Sequence, residues 1–241
     1  MAMKKKLKKD KPLVIEFWVH NNGTEELIEH PVPGYTQIPK WYKEVPKFVR
    51  GDKVQISENG SVNVGVKACS PFLDAITAGY IIKLHCDILV EKIDGHTRLT
   101  WSSDVPPISP RPKEVGEQMP NVPGFSPFLQ AWEMKSGFKV PDGYSVLVTQ
   151  PLNRLDLPTF VTSGVMEADQ YLGAGGVPFA VREDFEGIIK QGTPIIQLFP
   201  FKRDNWQSII VENKFPNGDM RGRNKIMGWY KENIWQKKEY K

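Results

Sequence analysis

Cysteine is almost missing: Cys69 and Cys86 are the only two in 241 residues. Two thiols cannot build a disulfide framework, so a reducing compartment is the default and a buried core must hold the fold. No run of about 18 apolar residues occurs, which excludes a membrane-spanning helix. Behind the basic N-terminus the stretch VIEFWVH is too short and too mixed for a signal-peptide core, so the sequence predicts a protein that is not secreted. No Walker loop, G-x-S-x-G or G-x-G-x-x-G is present. Gly173-Ala174-Gly175-Gly176 reads as a flexible turn, because no Lys-Ser/Thr follows it. Zinc spacings are missing too, and Cys69, His85, Cys86 and Asp87 read as buried thiols beside a surface histidine. Collagen, a coiled coil and a wholly disordered chain are excluded by composition.

What is present is ordinary globular material, 40% hydrophobic and 25% charged, with 20 prolines and 20 glycines. The net charge of +4 is unevenly spread. Residues 1–11 hold six Lys and one Asp, and residues 214–241 hold eight Lys/Arg and three acids, which leaves the body between them at −6. The expected organisation is a basic tail over 1–12, one β domain over 13–213 with a Pro-rich insertion or arm at 104–127, and a basic C-terminal tail over 214–241. The tails read either as solvated ends or as contacts for a polyanion. The body's negative charge argues against a broad nucleic-acid surface on the folded part.

Short alternating or β-branched runs predict strands at 13–19, 61–68, 79–91, 96–102, 130–139, 144–149, 159–166, 177–182, 194–200 and 207–212. In 79–91, Ile82, Leu84, Cys86, Ile88 and Val90 share one face by the period of two. Asp94-Gly95 signals a hairpin. Residues 21–26 read as a turn. The run from His30 to Phe48 holds four prolines interleaved with aromatics and predicts an extended or looping segment rather than a helix. Residues 104–127 hold seven prolines and read as irregular. Residues 223–236 are the best helix candidate. The sum is an all-β barrel, roll or sandwich. Trp41-Tyr42, between Lys40 and Lys43, reads as an anchor for the Pro-rich arm or as a stacking platform for bases. Asp74 reads as a turn cap or a ligand contact.

Three blocks carry a resemblance: PDGYSVLVTQPLN from Pro141, SGVMEADQYLG from Ser163, and FEGIIKQGTPIIQLFPF from Phe185. Their order and spacing resemble the back half of the dUTPase and dCTP deaminase superfamily, a divergent relative of a β-clip fold. Thr77-Ala78-Gly79-Tyr80 is similar to that family's first motif. The resemblance implies a β-clip barrel, assembled as a homo-oligomer, a trimer if it is dUTPase-like; with it go the Pro-rich N-terminal segment as an extended arm and the 223–236 pattern as a short C-terminal helix. It assigns the general base to Glu167, with Asp169 orienting it, and ligand contacts to Arg154, Tyr171 and Gln197. Gln197, inside the apolar run IIQLF, must find partners for its amide. It either ties backbone strands together or faces the nucleotide or the neighbouring chain. Lys202 and Arg203, with Trp206, form a second place for an anion. Departures from the family are numerous: Glu for the catalytic Asp, Gln170 where the sugar-discriminating Tyr would stand, Ile81 for the first-motif Asp, and no Ser-Gly phosphate cradle at 150–154. The Gly-rich C-terminal arm is also missing.

A second resemblance, to uncharacterised tailed-bacteriophage proteins, rests on Ile38–Tyr42, Lys67–Ala75 with Gly79-Tyr80, and Pro200–Trp206. It implies host cytoplasm or virion, and other phage proteins as partners. The expected function is therefore a non-enzymatic binding or virion structural module. The alternatives are a deoxynucleotide pyrophosphohydrolase or deaminase relative using Glu167, and a nucleotide sensor without turnover. No cofactor is expected, with Mg²⁺ implied only for a hydrolase, and no metal ligands are assigned.

Overall fold

A computed structural model describes residues 12–19, 27–59, 62–211 and 229–241. In chain order the strands are β1 (Glu16–Val19), β2 (Val32–Pro33), β3 (Tyr80–Lys83), β4 (Ile88–Ile93), β5 (His96–Trp101), β6 (Ile108–Pro110) and β7 (Gln130–Lys139). They continue as β8 (Tyr144–Thr149), β9 (Thr159–Val161), β10 (Gly164–Met166), β11 (Gly173–Val181), β12 (Gly187–Ile189) and β13 (Pro194–Lys202). Helices are short: α1 (Lys40–Glu44), α2 (Ser70–Thr77), α3 (Lys113–Glu117) and α4 (Trp229–Asn233). The protein is all-β, and every strand pairing is antiparallel.

Three sheets enclose one core. The first runs β1-β7-β11-β9, with β6 also paired to β7; the second runs β10-β8-β13-β3-β2; the third runs β12-β4-β5. On β7 the alternate residues Trp132, Met134 and Phe138 point inward, as period two requires. They meet Val146 and Val148 of β8, Ile196 and Leu198 of β13, and Ile88 and Val90 of β4. Trp132 stacks on Phe179 with ring centroids 3.8 Å apart, an arrangement worth about 1 kcal/mol beyond its buried area. The face predicted for 79–91 is inside: Leu84, Cys86, Ile88 and Val90 are all buried, as is Ile82.

Two turns follow the sequence closely. Asp94 and Gly95 both have positive φ and join β4 to β5 with Ile93 opposite His96, the geometry of a two-residue hairpin loop. Gly79 opens β3 at φ +65°, and a Cβ there would sit 2.0 Å from the Leu198 carbonyl oxygen, so only glycine fits.

Other expectations need correction. The run 79–91 is two strands in two sheets, broken at 84–87 where Leu84 bonds to the 192–193 turn instead of a ladder partner. Residues 61–68 form isolated bridges at Val62 and Val64 and a 3₁₀ turn over Val66–Ala68, not a strand. Residues 159–166 split into β9 and β10, which belong to different sheets. Gly173–Gly176 is the start of β11 rather than a flexible turn: a Cβ at Gly173 would strike the Phe138 ring. The Pro-rich 30–48 segment contains α1, and 104–127 contains β6 and α3, with Ile108 buried opposite Trp132. Residues 207–211 are exposed and unpaired, not a strand. Cys69 is exposed; Cys86 alone is a buried thiol. The basic tail over 1–11, the turn at 21–26, and residues 214–228 of the C-terminal tail with the front half of its predicted helix lie outside the described residues. α4 occupies the described half of that helix.

Candidate functional site

β8 and β13 lie side by side, with Gln197 opposite Thr149 at one end and Lys202 opposite Tyr144 at the other. Five residues at about 3.3 Å each separate these ends by about 17 Å. The residues assigned by resemblance divide between them.

Gln197 sits at the first end, fully buried on the outer face of the second sheet, between β13, α2 and the 150–154 turn. Its carbonyl oxygen accepts the Leu152 N–H at 2.7 Å, and its amide donates to the carbonyl oxygens of Ala75 at 3.0 Å and Ala78 at 2.6 Å. The amide thus serves backbone from two neighbouring segments and is closed to solvent. Arg154, in the same turn region, is nearly covered and holds Asp156 through Nε at 2.9 Å and a terminal nitrogen at 2.8 Å. The Trp41 indole N–H donates to the same carboxylate at 3.1 Å. Burial pushes the Asp156 carboxyl up, but the Arg154 and Trp41 donors outweigh it and hold it below its ordinary value. Tyr42 stacks on Phe72 at 6.0 Å and is buried. Trp41-Tyr42 therefore anchors the Pro-rich segment to the body.

At the second end Asp169 is buried, although it lies in the turn that exposed Glu167 opens. Its carboxylate accepts two hydrogen bonds from the Arg203 guanidinium, one of them at 2.9 Å, and one from the Gly143 N–H at 2.9 Å. Arg203 also reaches the Tyr144 carbonyl oxygen at 2.8 Å and the Ser145 hydroxyl at 3.0 Å. Its own N–H donates to the Gly143 carbonyl at 2.8 Å. The Arg203 donors, with Gly143, hold the Asp169 carboxyl well below the usual carboxylate range. The Asp169 hydrogen bond raises the Arg203 pKa, with a last contribution from the charge of Glu167, which itself remains exposed. Tyr171 is 65% exposed on the same turn. Lys202 pairs with Asp204 at 2.8 Å.

Beside this clasp lies a cavity of about 600 Å³, lined by Pro12–Ile15, Tyr80, Val140, Pro141, Tyr144, Pro200 and Glu239–Lys241. Its walls are largely apolar and include three tyrosines. One wall is the end of the chain. The Tyr240 ring meets Tyr80 edge-on at 5.9 Å, and the Tyr80 hydroxyl donates to the Lys241 carbonyl oxygen at 3.2 Å. Burial raises the pKa of both phenols. Farther along, the Trp235 indole N–H reaches both oxygens of Asp74, at 3.0 and 2.9 Å, and Lys238 pairs with the same carboxylate. Asp74 is therefore a receptor for the C-terminal segment, not a turn cap. Nothing in the local sequence around Asp74 signals this, because its partners lie about 160 residues away.

Glu167, Arg154 and Gln197 do not converge within one chain. Asp87 accepts Lys190 at 2.9 Å and the Gln191 N–H at 2.7 Å, while His85 bonds the Val105 carbonyl. Among the described residues no group of three or more His, Cys, Asp or Glu stands close enough to hold a metal.

No family model matches the chain, and no curated protein matches it. Solved structures similar to it are phage dUTPases. One is a point mutant of the dUTPase of phage phi11 of S. aureus, described as coordinating a structural Mg(II) ion. It is 14% identical, covers 68% of this chain and 98% of its own, and has a TM-score of 0.31. Another is a point mutant of the Staphylococcus bacteriophage 80alpha dUTPase with dUpNHpp, 14% identical, covering 60% of this chain and 80% of its own, with a TM-score of 0.29.

Proposed function

We propose that this chain is a non-enzymatic binding and assembly module, homo-oligomeric, of the kind a tailed phage uses in the host cytoplasm or in its virion. The observation that carries the reading is the segment after β13. Residues 204–211 are exposed throughout and belong to no strand or helix. Within them Trp206 is 88%, Ile209 83% and Ile210 92% exposed, with Val211 beside them. Fully burying four such side chains yields about 8 kcal/mol before the entropy of ordering is subtracted. Exposed apolar side chains gathered within six residues suit a contact with another polypeptide.

Internal bonds weigh against the nucleotide alternatives. A general base needs an orienting partner within reach, and the Asp169 assigned to that role is already saturated by Arg203 and Gly143. Gln197 and Arg154 are likewise spent on protein groups. Sedimentation velocity of the full chain tests the reading: an oligomer is expected, dissociating when Ile209→Asp and Ile210→Asp are combined, with the far-UV spectrum unchanged. A monomeric wild-type chain overturns it. So does turnover of any deoxynucleotide, with Mg²⁺ supplied, that Glu167→Gln abolishes. Thermal shift against the same nucleotides is expected to stay flat, because a ligand that binds only the folded state would raise Tm by mass action.

A further inference from the structure

We propose that the lobe formed by the described residues 46–59 and 62–65 is a docking site for an acidic peptide segment of another protein, which seats one aliphatic side chain in the cleft of the lobe and sets carboxylates on Arg50 and Lys53. The site is separate from the 204–211 run and does not depend on assembly of the chain with itself.

The lobe folds around one side chain. Asn63 accepts the Gln55 N–H through Oδ1 at 2.7 Å, and its Nδ2 donates to the carbonyl oxygens of Arg50 at 2.5 Å and Lys53 at 3.1 Å. The Asn63 backbone holds both flanks as well: its N–H donates to the Gln55 carbonyl oxygen at 3.2 Å, and its carbonyl oxygen accepts the Val49 N–H at 2.8 Å. Bridges join Phe48 to Val64 and Ile56 to Val62. At the base, the Lys67 ammonium donates to the Lys43 carbonyl oxygen at 2.7 Å and ties the lobe to α1. These bonds brace the loop without any ligand, so docking on it costs little ordering entropy.

Bracing leaves a cleft of about 470 Å³, lined by Val49, Ile56 and Val62 together with Arg50, Gln55 and Asn63. Val49 is 69% and Ile56 71% exposed, so its aliphatic walls stand in water. Charge selects the partner. Residues 40–67 hold six Lys/Arg and three acids, a basic island in a body whose net charge is −6. Arg50 and Lys53 are exposed, and neither forms an ion pair among the described residues. Cations beside an aliphatic cleft attract an acidic partner and repel a basic one. Shape then separates a peptide from other polyanions. No aromatic ring lines the cleft to stack a nucleic-acid base. A bilayer takes up projecting side chains, whereas a concave wall receives a side chain that enters it.

The test uses the full-length chain and fluorescein-labelled peptides read by fluorescence anisotropy. The probe is a leucine flanked on each side by five glutamates. It is expected to bind at least tenfold more tightly than the same peptide with alanine for leucine, and the version with lysines for glutamates is expected not to bind. Raising NaCl from about 50 to about 300 mM should weaken binding at least threefold. Ile56→Asp and Arg50→Glu, both at exposed positions, are each expected to weaken it at least fivefold with Tm unchanged. Ile188→Asp, at an exposed position on β12, should leave it unaltered. A leucine peptide that binds no better than its alanine version overturns the inference, as does binding that survives Ile56→Asp and Arg50→Glu combined. It is also overturned if no peptide binds while phosphatidylserine vesicles or single-stranded DNA do, and the same two substitutions abolish that binding.

Discussion

Replacing Gln197 by leucine changes the volume by about one methylene and removes the amide. It orphans one buried N–H, that of Leu152, and two carbonyl oxygens, those of Ala75 and Ala78. A buried polar group left without a partner costs about 1–3 kcal/mol, toward the low end for carbonyls. The N–H at about 2 and two carbonyls at about 1 each give about 4 kcal/mol. Some of this is recovered because leucine suits the apolar surroundings of β13, so a net loss of about 3 kcal/mol is expected. For a domain of roughly 200 residues that lowers Tm by about 6–12 °C. Urea unfolding followed by far-UV circular dichroism measures it, with the m-value unchanged. The loss should be independent of any added nucleotide. A Gln197→Leu protein within about 1 kcal/mol of wild type would refute the reasoning. If it also lost a nucleotide-induced thermal shift, Gln197 would be a ligand contact after all.

Gly79→Ala places a methyl group against the Leu198 carbonyl at a positive φ and is expected to cost about 3 kcal/mol or more. Gly95→Ala, at φ +79° with open space around it, is expected to cost about 1 kcal/mol; equal losses in parallel denaturant titrations would contradict the packing argument. Asp169 binds its proton more weakly in the folded state than in the unfolded state. Its contribution is therefore complete above the unfolded value of about 4 and fades as pH falls through it toward the lower folded value. Unfolding curves of wild type and Asp169→Asn should be farthest apart at neutral pH and converge below about pH 4; a constant gap across that range would refute the ion-pair account.

The sequence made some features legible because their causes are local. Asp94-Gly95 announces a hairpin because both positions need positive φ, and the Ile82–Val90 alternation announces a buried face. Gln197 inside IIQLF announces a satisfied amide because a bare one is too costly there. The helices were misread for an instructive reason. Pro39, Pro71 and Pro112 stand at the starts of α1, α2 and α3. Proline breaks a helix from within but fits its first turn, where no N–H donor is needed. Taken only as breakers, Pro39 and Pro112 hid the starts of α1 and α3, and Pro71 at the start of α2 drew no reading. Residues 207–211 have real strand propensity, but propensity does not supply a ladder partner, and among the described residues none of the three sheets pairs with them.

The assignment of Asp169 and Gln197 by motif was harder to judge because a motif records residue type and not what the side chain is bonded to. Both residues are polar groups planted in apolar strands or at their ends, which suits a nucleotide site and a structural clasp equally. What separates the two readings is the neighbourhood brought in by distant chain: Arg203 comes 34 residues after Asp169, and Ala75 and Ala78 lie about 120 residues before Gln197. The Arg203 clasp also fixes where the chain leaves β13, since Arg203 bonds Gly143, Tyr144, Ser145 and Asp169 in the step before the exposed run begins. The Asp169 carboxylate thus anchors, through Arg203, the root of the exposed 204–211 run.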